Sequence, residues 1–204
     1  MSSNKSIPRP PVIPQRQNGK KRFAELLAAG KAVIAEKGFE ATTMAEIAAR
    51  AGAPIGSLYR FFPNKDAVAD ALIQESQDAI GTAFNALAEQ ASGLSTDALA
   101  DALLALWSEL RGRVRATLVL SEEYASLSAW RKEFRGYVLA HLTEVLRTHR
   151  PDLEAGMIQR VAFAVLLSVK VFTQATSDPD RGAPPGAADE LRIMLRLYLA
   201  DRLG

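Results

Sequence analysis

Residues 43–65 read TMAEIAARAGAPIGSLYRFFPNK, and the reading of this stretch decides the rest. Thr43 followed three residues on by Glu46 has the spacing of a capping box, in which hydroxyl and carboxylate satisfy free backbone N–H groups at a helix start. Met44, Ile47, Ala48 and Ala51 then recur at helical intervals and give one apolar face. Gly52 tolerates the left-handed conformation that a sharp helix stop requires. Pro54 stands where a second helix begins, because its missing N–H is one that would be free there anyway. This helix is expected over residues 54–61, with Leu58 and Phe62 inward and Ser57, Tyr59 and Arg60 outward. Pro63-Asn64 closes it, and Asn64 is expected to cap the helix that follows. Two short helices joined by a tight glycine turn, the second polar on its outer side, form a helix-turn-helix pattern, and that points to DNA.

The run Ala51-Gly52-Ala53-Pro54-Ile55-Gly56-Ser57-Leu58-Tyr59-Arg60-Phe61-Phe62-Pro63-Asn64-Lys65-Asp66, with Gly38-Phe39-Glu40-Ala41-Thr42-Thr43 before it, resembles the recognition segment of the TetR family of bacterial transcriptional repressors. Beyond residue 80 the likeness is one of architecture. Three positions depart from the usual pattern: Pro54 replaces a common Ser, Phe61 a frequent His, and Ala45 a base-reading side chain of some members. The resemblance implies that Thr43, Tyr59 and Lys65 clamp DNA phosphates, and a hydroxyl at a helix N-terminus, a phenol and an ammonium are all suitable donors. Ile55, Gly56 and Ser57 lie in the half of the recognition helix that meets base edges. Ile55 suits a thymine methyl, Ser57 a base or a phosphate, and Arg60 a guanine or a phosphate.

The charge distribution agrees with this reading. Of 25 Lys/Arg and 23 Asp/Glu, residues 1–65 hold 11 and 4, and the remainder 14 and 19. A basic front and an acidic body suit a DNA-binding head on a part that does not touch phosphates. With no cysteine, neither a disulfide framework nor a cysteine-ligated zinc site is available, and two histidines are too few for a His-rich metal site. No cofactor or metal is expected. His141 and His149 are spaced too widely on one helix to chelate together and are read as surface residues. There is no secretory h-region and no long uninterrupted apolar run, so a soluble, cytoplasmic protein is expected. Phosphate-binding Gly-rich loops with Lys-Ser/Thr, G-x-S-x-G and H-E-x-x-H are all missing, so an enzyme is not expected.

The chain reads as all-α, with about nine helices in a head-and-bundle arrangement. Residues 1–19, rich in Pro, Ser, Asn and Gln, are expected to form a disordered basic arm. Residues 20–66 form the helix-turn-helix domain, beginning with a helix over 21–37, and 67–204 an effector-binding and dimerisation domain. A long helix over 66–90 links the two. Further helices are expected over 97–111, 114–124, 129–148, 152–176 and 187–203, the second of them bent or broken after Gly112.

Trp107, Tyr124, Phe134 and Phe163 are the candidate ligand-lining residues, since the resemblance implies a pocket within the bundle and aromatic walls favour a lipophilic or planar effector. Glu122 and Glu123 are read as solvated. The last two predicted helices are apolar over much of their circumference, and pairing them between subunits gives a four-helix homodimer interface that presents two recognition helices to a palindromic operator. These expectations describe a ligand-responsive regulator, most simply a repressor. The alternative is a helical small-molecule-binding or scaffolding protein whose basic head has non-specific nucleic-acid affinity.

Overall fold

The computed structural model describes the backbone of residues 10–123, 128–177 and 184–204, and the side chains among them outside 111–132 and 173–183. Every described element is an α-helix: α1 (Gln17–Lys37), α2 (Met44–Arg50), α3 (Ile55–Phe61), α4 (Lys65–Ala91), α5 (Thr96–Glu123), α6 (Ser128–His149), α7 (Ala155–Ser177) and α8 (Ala187–Leu203). The helix count among the described residues is thus eight. Gly112 does not interrupt α5, and its φ is not among the positive ones. A glycine inside a long helix costs about 1 kcal/mol relative to alanine, which the surrounding turns can offset.

Several helix starts differ from the sequence reading, three of them for reasons visible at the cap. α1 begins at Gln17, within the proposed arm, with Arg16 as an extended N-cap. Pro54 is an N-cap with ψ 138°, so α3 starts at Ile55. α7 starts at Ala155, because the Glu154 carboxylate accepts from the N–H groups of Gly156 (2.7 Å) and Met157 (2.9 Å), while Asp152 instead pairs with Arg150 at 2.9 and 2.8 Å. Asn64 caps α4 as expected, accepting from the Ala67 N–H at 2.8 Å.

The chain divides into two compact units, residues 1–76 with 114–131, and residues 77–113 with 132–204. In the first, Leu26, Ile34, Ile47, Leu58, Phe62 and Val68 are fully buried. Each such side chain contributes about 1.5–3 kcal/mol relative to exposure. Phe61, expected to mark a departure in the recognition helix, is buried as well, meeting Phe23 edge-on at 6.0 Å while Phe62 lies 4.7 Å from the same ring. α1 and α4 approach closely at Gly30, where an added Cβ would come within 2.8 Å of Val68 Cγ1. In the second unit α7 packs along α8, and Leu142, Leu146, Val161, Val165, Leu195 and Leu199 fill the interior.

Candidate nucleic-acid interface

Local chemistry fixes the two-helix element. Thr43 and Glu46 form both halves of the capping box: the Thr43 N–H donates to Glu46 Oε2 at 2.9 Å, and the Glu46 N–H to Thr43 Oγ1 at 3.3 Å. The Lys37 ammonium, and then the Thr43 hydroxyl and amide, hold the Glu46 carboxyl down to about 2. Thr42 is buried and donates to the Gly38 carbonyl at 2.6 Å, which fixes the turn before α2. At the far end Gly52 takes φ 57°, the left-handed stop that only glycine adopts without strain.

α3 is one-sided. Leu58 and Phe61 are buried beneath it, whereas Ile55 is 46% and Tyr59 49% exposed. Ser57 is half-buried, Arg60 is exposed, and the Cβ position at Gly56 opens onto empty space. Ile55, Gly56, Tyr59 and Arg60 therefore lie on the outer side of one helix, with the Arg60 guanidinium 4.7 Å over the Phe61 ring. Thr43 is exposed at the start of α2. Lys65 is more engaged than its residue type foretells. Its Nζ donates to the carbonyls of Phe39 (2.8 Å) and Glu40 (3.1 Å), leaving one of an ammonium's three donors.

The described ligand candidates differ in their surroundings. Trp107 is half-buried and meets Phe84 edge-on at 6.1 Å. Phe134 is half-buried on α6. Phe163 is 45% exposed, on the same face of α7 as the exposed Leu167 and Val171, away from a pocket-lining role. Tyr124 lies outside the described residues, as do the side chains of Glu122 and Glu123. A cleft of about 240 Å³ in the second unit is lined by Asp101, Leu104, Ser108, Phe172, Arg192 and Arg196 among others, and by none of the candidates.

The histidines depart from the surface reading. His141 is stacked 6.3 Å from Phe84 and lies 4.7 Å from the Tyr137 ring, and His149 Nδ1 is 2.8 Å from the carbonyl of Ala91 at the end of α4. Neither is a plain surface residue. The Tyr137 hydroxyl donates to the Gln77 carbonyl at 3.0 Å and sits where a Cβ on Gly81 would be 2.6 Å away. Only the helical register of α4 against α6 brings these residues together, so spacing along the sequence carried no sign of it. Among the described residues no group of three or more His, Asp or Glu side chains is placed to hold a metal ion.

A capped helix, a left-handed glycine and a short helix with an exposed outer face on a buried apolar base define a helix-turn-helix DNA-binding protein. Residues 26–72 match the family model of bacterial regulatory proteins, tetR family. The fold extends the match: GusR of Salmonella enterica superposes with a TM-score of 0.67 at 20% identity, covering 94% of this chain and 99% of that one. A TetR-family transcriptional regulator from Streptomyces coelicolor gives 0.61 at 27% identity over 89% and 99%. In sequence, the chain is 29% identical over 136 residues to the HTH-type transcriptional repressor KstR2 of Rhodococcus jostii (strain RHA1), a stretch covering 62% of this chain and 66% of that repressor. Residues 26–72 thus carry a DNA-binding domain of the tetR-family type, and over most of its length the chain has the fold of TetR-family transcriptional regulators.

Proposed function

We propose that the protein is a cytoplasmic, homodimeric repressor released from a palindromic operator by a small lipophilic or aromatic effector. The observation that carries the DNA part is the outer face of α3, where Ile55 and Tyr59 stay half exposed above buried Leu58 and Phe61. Thr43, Tyr59 and Lys65 supply phosphate donors, and Ile55, Gly56, Ser57 and Arg60 face base edges or the flanking backbone. The relative named as a repressor supports the direction of control.

Exposed apolar side chains support the dimer. Phe163, Leu167 and Val171 on α7, and Ile193, Met194 and Leu197 on α8, are all 45% exposed or more. The segment Ala155–Phe172 has a mean hydropathy of 1.6, enough by length and composition to cross a membrane, yet only 39% of it is buried within the protomer. A second copy covering this face with its own α7 and α8 accounts for that apolarity in a DNA-binding protein. The effector reading rests on the aromatic contacts of Trp107 and on Phe134; Tyr124 and Phe163 are weaker members of that set. An effector acts by binding the DNA-competent and released states with different affinity, and α4, like α5 and α6, has residues in both units.

Fluorescence anisotropy on the DNA flanking the gene, with scrambled duplex as competitor, tests the reading. Specific binding about a thousandfold or more tighter than non-specific supports a sequence-reading regulator. Binding that ignores sequence and vanishes with modest salt favours the scaffolding alternative.

A further inference from the structure

The segment before α1 is attached to the recognition helix. The Val12 N–H donates to the carbonyl of Phe61, the last residue of α3, at 2.8 Å. Two residues on, Pro14 is seated against Gly19 of α1, where an added Cβ would lie 2.8 Å from Pro14 Cβ. A strap fixed at these two points runs from the end of the recognition helix to the start of α1. The groove beside it is open and holds about 700 Å³, with Val12, Pro14, Arg16, Asn18, Arg60 and Phe61 among its walls.

Arg22 pairs with Glu25, Lys31 with Glu75, Lys37 with Glu46 and Arg50 with Glu36, and Lys65 is taken up by two carbonyls. Arg16 and Arg60 are both exposed and, like Lys20 and Lys21 at the start of α1, form no ion pair among the described residues; of these four, the two arginines line the groove. Two unneutralised guanidiniums lining one open groove, next to the recognition helix, suit the charge of a phosphodiester.

We propose that the strap makes Arg16 a further DNA-contacting residue, forming with Arg60 a cradle for one backbone phosphate beyond the recognition helix. This rests on the DNA-binding reading above and extends it to the segment ahead of α1. The interaction is with phosphate, so it adds affinity and register without reading sequence.

The test is the salt dependence of binding by the full chain, measured on the duplex flanking the gene and on a scrambled duplex of equal length. For every phosphate that the protein ceases to neutralise, the slope of log K against log[salt] falls in magnitude by about 0.9. Arg16→Gln is expected to lower the slope on both duplexes, and Arg16→Gln with Arg60→Gln to lower it by about 0.9 per subunit or more. Val12→Pro removes the tethering N–H, and Gly19→Ala displaces Pro14 while favouring the helix. Both are expected to reduce the slope with both arginines in place, Gly19→Ala without lowering the melting temperature. Wild-type binding with a slope that none of Arg16→Gln, Val12→Pro and Gly19→Ala changes would overturn the cradle and leave the regulator reading standing. Failure of the wild-type protein to bind either duplex would overturn both.

Discussion

The Nζ of Lys65 donates to the carbonyl oxygen of Phe39 at 2.8 Å and lies 4.4 Å from the centroid of the same residue's ring. The first residue of α4 is thereby locked to the turn that leads into α2. Lys65→Met is expected to cost about 2 kcal/mol, because it removes charge-assisted hydrogen bonds from two carbonyls. Lys65→Arg, which keeps donors at that place, is expected to recover part of the loss. Urea unfolding of the three proteins checks both statements.

The capping box at α2 gives stability a dependence on pH. The carboxyl of Glu46 has its pKa lowered from 4.5 to about 2 by the Lys37 ammonium and the Thr43 donors. A carboxylate depressed in the folded state contributes stability that is complete above its unfolded pKa and is lost as pH falls through the folded one. Thr43→Ala is expected to cost about 1 kcal/mol at neutral pH. The difference from wild type should shrink as the pH falls from about 4.5 towards 2, where Glu46 takes up its proton. Parallel urea titrations across that window read the effect, and an unchanging difference would separate the cap from Glu46.

Gly81 and Tyr137 are coupled. An alanine at Gly81 would bring its Cβ to 2.6 Å from the Tyr137 hydroxyl, forcing that group off the Gln77 carbonyl. Gly81→Ala is expected to destabilise by about 1 kcal/mol despite alanine's better helix propensity. Tyr137→Phe, which removes the clashing oxygen, should make the double substitution less costly than the sum of the two. A double-mutant cycle by thermal or urea unfolding measures that coupling.

Leu197 is 67% exposed on α8, in the face proposed to meet a second copy. Leu197→Glu places a charge there and is expected to yield a folded monomer with operator affinity lowered by about a hundredfold or more, since the two heads then bind independently. Light scattering coupled to size exclusion, alongside circular dichroism, distinguishes dissociation from unfolding. A dimer that persists would move the interface elsewhere.

Tyr59 separates binding from folding. Its ring is 49% exposed, so Tyr59→Phe should change stability by no more than about 0.5 kcal/mol. Loss of a hydrogen bond to a charged phosphate, worth about 1.5 kcal/mol, is expected to weaken binding about tenfold on operator and scrambled duplex alike. Anisotropy on both duplexes checks it, and unchanged affinity would remove Tyr59 from the phosphate-contacting set.

What the sequence determined by itself is what rests on near neighbours. The capping box of Thr43 and Glu46, the stop at Gly52, the cap at Asn64 and the one-sidedness of α3 span a few residues each, so spacing and residue type are enough to read them. Boundaries that depend on a competing neighbour were less legible, as where Glu154 rather than Asp152 supplies the oxygen that starts α7. Tertiary structure alone decided which side chains meet across helices. Aromatic residues of the bundle look alike in a sequence, yet packing sets Trp107 against Phe84, draws His141 in beside Tyr137 and turns Phe163 outward. It also fastened Val12 to Phe61, 49 residues on, through backbone atoms that every residue type but proline offers. A bond between main-chain groups has no residue preference to betray it, and its partner is chosen only once the chain has folded.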